Sequence, residues 1–149
     1  MEQLKRIRKM PVSALMVKDV VIIDRNETVA KSIQLMKSHK TTSIIVNPRD
    51  DGDTFGIITE RDILEKVIDP GSDVYRDPWN TPVSDIMSKP LISIYPDMPL
   101  KYALRLMKRS NIRHIAVMEG KKLMGILSEA EVLNHVEETL SPEGGQRAF

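Results

Sequence analysis

At 149 residues, 41% hydrophobic and 29% charged, the chain suffices for one ordinary domain or two small ones sharing a core, and its composition argues against wholesale disorder. Lysine plus arginine total 22 against 21 for aspartate plus glutamate, so the net charge of +1 supplies no global field toward nucleic acid or acidic lipid. The absence of cysteine removes disulfides, thiolate metal sites and cysteine nucleophiles, and no apolar run approaches the ~18 residues of a membrane span. A soluble cytoplasmic protein without a secretory signal is the expectation.

In chain order, residues 1–10 read as a short helix, with Leu4, Ile7 and Met10 at helical spacing among Lys5, Arg6, Arg8 and Lys9. Its simplest role is a surface helix packed on the body. A nucleic-acid arm ranks last, because the cluster is small and lacks an aromatic residue. Val12 to Met16 suggests a single helical turn, and Val20 to Ile23 a short buried strand. Thr28 then starts an amphipathic helix with Val29, Ile33 and Met36 on one face. Ser43 to Val46 is the next strand, residues 47–53 carry turn chemistry, and Thr54 to Ile58 is the returning strand. A helix over Thr59 to Ile68 closes the first unit, residues 11–68.

Residues 69–81 form a linker in which Trp79 is expected to anchor the segment to the body. The second unit, residues 82–140, repeats the first. A shift of 71 maps Pro11 onto Pro82, Val12 onto Val83, Met16 onto Met87 and the triplet Leu35-Met36-Lys37 onto Leu106-Met107-Lys108. After a loop two residues shorter, a shift of 69 maps Gly56 onto Gly125, Glu60 onto Glu129 and Leu64 onto Leu133. The elements agree as well: strands at Leu91 to Ile94, Arg113 to Met118 and Lys122 to Leu127, and helices at Pro99 to Ser110 and Ser128 to Leu140. Residues 141–149 show no periodicity and read as a flexible tail. The fold class is α/β (α+β), two tandem β-α-β-β-α units. Each is marginal alone, which suggests a pseudo-twofold pair covering one another's apolar faces.

The stretch Gly56-Ile57-Ile58-Thr59-Glu60-Arg61-Asp62 is a buried strand running into a helix. Backbone N–H groups at a helix start attract phosphate, and a carboxylate one turn later can accept hydrogen bonds from a sugar diol. Thr59 and Asp62, like Ser128 and Glu131 in the second copy, also have the spacing of a capping box. We favour a ligand role at the first junction and a cap at the second. No metal-ligand spacing connects His39, His114 and His135, and no nucleophile or phosphate-loop motif appears, so an enzyme is not expected.

A duplicated β-α-β-β-α unit ending in Gly-apolar-apolar-Thr/Ser-x-x-Asp resembles the CBS domain family, and two in tandem resemble a CBS pair, or Bateman module. The resemblance runs from about Pro11 to Val136. It implies two clefts between the paired units for adenosine-type ligands (AMP, ADP, ATP or S-adenosylmethionine), dimerisation into flat discs, and regulation of another protein. In one cleft it implies Asp62 for ribose, Thr59 near phosphate, Lys18, Asp19 and Val20 around the base, and Arg113 and His114 reaching phosphate. The second cleft departs from the pattern: Glu131 stands in place of Asp, and the positions matching Arg113 and His114 are Thr42 and Ser43. Ser128, Glu131, Lys89, Leu91 and Thr42 would form this weaker site. The competing readings are a dimerisation and protein-interaction module independent of nucleotide, and an S-adenosylmethionine sensor.

Overall fold

A computed structural model describes residues 1–140; the expected tail, 141–149, lies outside the described residues. Its elements are α1 (Glu2–Lys9), β1 (Ile22–Ile23), α2 (Val29–His39), β2 (Ser43–Val46), β3 (Gly56–Thr59), α3 (Glu60–Ile63), β4 (Ser93–Ile94), α4 (Leu100–Ser110), β5 (His114–Glu119), β6 (Lys122–Ser128) and α5 (Glu129–Leu140). This is the β-α-β-β-α order twice, a mixed α+β fold with two three-stranded sheets. In each sheet the first strand runs parallel to the second, through a helical crossover, and the second runs antiparallel to the third. Among the described residues no helix is long and apolar enough to cross a membrane.

Local chemistry sets the element ends. The Thr28 hydroxyl accepts the Lys31 N–H and caps α2, which closes on Lys40 in the left-handed conformation. Asn111, equally left-handed, closes α4. Pro99 is the residue before α4 rather than its first turn. The α2 face differs from the periodic reading: Val29, Ala30, Ser32 and Met36 are buried, whereas Ile33 is 40% exposed. Ser32 tolerates the interior because its hydroxyl donates to the Val29 carbonyl at 2.6 Å. The closing helix of the first repeat loosens after one turn into a π-type turn over Leu64–Ile68. Trp79 does not anchor the linker; it is 67% exposed.

The compact units of the structure are offset from the repeats of the sequence. Among the described residues, one unit comprises Met1–Asp19 with residues 92–140, and the other comprises Val20–Leu91. Each repeat sends its opening segment to the sheet of the other. In the first unit, a 3-10 turn at Val12–Ala14 places Val12, which is fully buried, and the buried Leu15 among Leu100, Met107, Ile115 and Leu127. In the second unit, the matching turn at Val83–Asp85 places Val83 and Ile86 among Val29, Met36, Ile44 and Ile58. Val12 N–H donates to the Met98 carbonyl at 2.9 Å, and Val83 N–H donates to the Glu27 carbonyl at 2.8 Å. Burial of each valine contributes about 1.5–3 kcal/mol to a sheet that its own repeat does not supply.

The exchange also accounts for the two motif glycines. A Cβ on Gly56 would lie 2.6 Å from the Met87 sulfur, and one on Gly125 would lie 2.6 Å from the Val17 carbonyl oxygen and 2.8 Å from the Met16 sulfur. The opening segment of one repeat thus rests directly on the strand of the other, through a flexible side chain at Gly56 and through backbone at Gly125, where glycine leaves the room that it needs.

Candidate functional site

The junction between β3 and α3 is built from the buried Ile58, which fixes the strand, and Thr59, whose extended backbone turns the chain into the helix. The Thr59 hydroxyl accepts the Asp62 N–H at 3.3 Å. In return Asp62 Oδ2 accepts the Thr59 N–H at 2.9 Å and the Thr59 hydroxyl at 3.1 Å. This is a complete capping box, and it orients a carboxylate that is 7% exposed.

The other carboxylate oxygen, Oδ1, points to groups that motif spacing does not reveal. It accepts the Ser88 hydroxyl at 3.2 Å and pairs with Lys66 Nζ at 2.9 Å. Lys66 also donates to the Ile86 carbonyl at 2.9 Å, so it ties α3 to the opening segment of the second repeat. Ser88 is held by a reciprocal backbone pair with Ile57. The four-residue step from Asp62 to Lys66 was the available signal for this pair. Ser88 carried none, because its arrival depends on the exchanged segment. Chemically, Oδ1 is a fixed acceptor for a hydroxyl with a cation beside it, an arrangement that suits a sugar diol near an anionic group.

The residues expected at the two junctions come from both compact units. Val20 shares the compact unit of Asp62, but Lys18, Asp19, Arg113 and His114 belong to the unit of Ser128 and Glu131. Thr42, Lys89 and Leu91, expected at the second junction, belong to the unit of Asp62. Thr42 offers its carbonyl to the Glu60 N–H at 3.1 Å, at the first turn of α3, and Leu91 N–H donates to the Phe55 carbonyl at 3.2 Å. For Lys18, Asp19, Lys89 and Leu91 the cause is the same exchange, which carries residues 83–91 to β3 and residues 12–17 to β6.

Lys89 pairs with Asp53, whose carboxylate also accepts the Arg49 N–H at 2.8 Å and lies 3.5 Å from the Arg25 guanidinium. The Lys89 hydrogen bond, followed by the Arg49 backbone N–H, holds the Asp53 carboxyl well below the usual carboxylate range.

At the second junction Glu131 N–H donates to the Ser128 hydroxyl at 3.2 Å, the cap expected there. Glu131 is half-buried, in contrast to Asp62. His114 pairs across the ladder with Ser128 and is half-buried. Burial pushes its imidazole below the ordinary range; Glu129 opposes that shift and the Arg113 charge adds to it. Arg113 is 72% exposed on its side chain and lies 3.8 Å from Glu129. Among the described residues no group of three histidine, aspartate or glutamate side chains gathers to hold a metal ion.

The chain is similar to several known proteins. It is 33% identical over 113 residues to the CBS domain-containing protein YhcV of Bacillus subtilis, covering 76% of each chain. It is 30% identical over 142 residues to an uncharacterized protein of Methanocaldococcus jannaschii, covering 89% of this chain and 33% of that one. The chain spans between 33% and 63% of the length of three of the curated relatives that it matches. Among solved structures, the hexameric CBS-CP12 protein from bloom-forming cyanobacteria superposes with a TM-score of 0.79 at 35% identity, over 90% of this chain and 72% of that one. The CBS domain pattern itself matches residues 12–69 and again residues 83–138. With that duplicated match and the shared fold, the chain belongs to the CBS domain family and carries two CBS domains in tandem.

Proposed function

We propose that the β3–α3 junction binds an adenosine-type nucleotide (AMP, ADP or ATP) and that the chain, in the cytoplasm, passes its occupancy to a regulated protein. The observation that carries this reading is the Asp62 carboxylate, 7% exposed, oriented by its capping box and offering Oδ1 to the Ser88 hydroxyl beside Lys66. A ribose hydroxyl would take the place of the Ser88 hydroxyl, and Lys66 would face the negative charge of the ligand. The second junction supports a single competent site: the positions matching Asp62, Lys66 and Ser88 are Glu131, His135 and Val17. Those positions hold a longer acid, a histidine in place of the permanent cation, and an apolar side chain in place of the serine hydroxyl.

Titration calorimetry with AMP, ADP, ATP and S-adenosylmethionine tests this. We expect binding by one of them, weakening of at least about tenfold in Asp62→Asn, and unchanged or tighter binding in Ser88→Ala, which removes the hydroxyl that the ribose would displace. No heat with any of the four at millimolar concentration, or unchanged binding by Asp62→Asn, overturns the proposal.

A second reading follows from the same carboxylate. Its donors are already supplied by Thr59, Lys66 and Ser88, which suits a structural cap in a nucleotide-independent dimerisation or interaction module. The hexameric relative favours homo-oligomer formation in either case. Sedimentation with and without nucleotide separates the two: an assembly that binds none of the four ligands selects the second.

A further inference from the structure

Two basic helices adjoin in the unit that contains residues 1–19 and 92–140. Helix α1 carries Lys5, Arg6, Arg8 and Lys9, and α4 carries Lys101, Arg105, Lys108 and Arg109, with Glu2 the one acid in either helix. They pack against each other, and Leu100 N–H donates to the Met10 carbonyl at 2.9 Å. Their buried residues are Ile7 on one and Leu100, Ala103 and Met107 on the other, which leaves the basic positions on the outside. We propose that this face, centred on α4, binds single-stranded nucleic acid, with cations along the phosphate backbone and Tyr102 as a stacking platform for a base.

Three observations support the choice of partner. Lys101, Arg105 and Arg109 recur every four residues, so they form one row with a step of about 6 Å along the helix. Tyr102 stands beside that row, 47% exposed, with Lys101 Nζ 5.0 Å and the Arg105 guanidinium 5.5 Å from its ring centre. A row of cations interleaved with an aromatic ring is the combination by which proteins hold single strands without reading sequence. The outer positions of α4 carry no exposed leucine, isoleucine or phenylalanine, the anchors that a membrane surface would need.

The fold itself does not call for these charges. The first repeat builds the same helix with Ala30, Gln34 and Ser38 at the positions of Lys101, Arg105 and Arg109, and with Lys31 in place of Tyr102. Eight of the chain's 22 lysines and arginines lie in these two helices, although the chain as a whole has a net charge of only +1. On the far flank α5, which also touches α1, carries Glu137 and Glu138; this places the centre of the positive field on α4.

Fluorescence anisotropy of the full chain with a labelled single-stranded oligonucleotide of about 12 nucleotides tests the proposal. Affinity should fall steeply between about 50 and 200 mM salt. The triple variant Lys101→Gln, Arg105→Gln, Arg109→Gln should lower affinity at least tenfold and reduce the slope of log K against log salt by about 2. Tyr102→Ala should weaken binding at least about fivefold while Tyr102→Phe retains it. All four positions lie on the helix surface, and far-ultraviolet circular dichroism checks that the variants fold. Absence of binding at 50 mM salt, unchanged binding by the triple variant, equal affinity for polyglutamate, or binding to anionic vesicles without binding to the oligonucleotide overturns it. Asp62→Asn should leave this binding unchanged, so the result is independent of the nucleotide site.

Discussion

Ser88 and Ile57 bond to each other in both directions through the main chain: Ser88 N–H to the Ile57 carbonyl at 2.8 Å, and Ile57 N–H to the Ser88 carbonyl at 3.1 Å. Residue 88 lies at the start of the second repeat and residue 57 in the last strand of the first. The Val17–Ile126 pair, at 2.8 and 3.0 Å, is its counterpart. Through these two pairs the repeats share their cores before any long-range packing is considered.

Val83→Ala tests the exchange directly. Val83 belongs to the second repeat but is fully buried against Val29, Ile44 and Ile58. Its truncation should cost about 1–3 kcal/mol. In native-state hydrogen exchange, protection should fall at the amides of β2 and β3 more than at those of β5 and β6. A loss confined to β5 and β6 would refute the exchange.

The two motif glycines should respond unequally to alanine. At Gly56 the obstacle is the Met87 side chain, which can swing away, whereas at Gly125 it is the Val17 carbonyl oxygen, which belongs to a bonded backbone pair. Gly125→Ala should therefore be the more destabilising in urea unfolding, by about 1–3 kcal/mol against wild type. A larger effect at Gly56 would contradict this ordering.

Asp53 makes stability depend on pH in the acid range. Its folded carboxyl is held below the unfolded value, so its contribution is fully present above about pH 4 and is lost as the pH falls below that. Asp53→Asn should flatten the acid limb of a melting-temperature profile. Lys89→Met should bring the carboxyl back toward its ordinary range, because the Lys89 hydrogen bond is the largest cause of the shift. An acid limb unchanged in Asp53→Asn would dismiss this role.

His114 acts in a different window. Burial lowers its folded pKa below 6.5, so the unfolded chain takes up the proton first. Its effect is absent above about pH 7, and stability falls as the pH drops through 6.5 toward the folded value. His114→Gln should remove that dependence. Arg113→Gln should raise the imidazole pKa in an NMR titration, and Glu129→Gln should lower it further. The opposite signs would show that these charges are not what the imidazole senses.

The repeat, the strand–helix order and the cap at Thr59 and Asp62 were legible in the sequence, because hydrophobic period and cap spacing are local signals. Strands β1 and β4 are shorter than their apolar runs, since only two residues of each find ladder partners. Ile33 and Trp79 are exposed where apolar character suggested burial. Ser88 and Lys66 were missed as partners of Asp62; Lys18 and Asp19 lie in the compact unit of Ser128, and Lys89 and Leu91 in that of Asp62. No local pattern tells which of two similar sheets an opening segment will choose.

The crossed opening segments also limit how the chain can be divided. A cut in the 69–81 stretch would yield two pieces, each holding a sheet whose valine plug had left with the other piece. Neither should fold alone, and mixing them in equal amounts should reconstitute the native core.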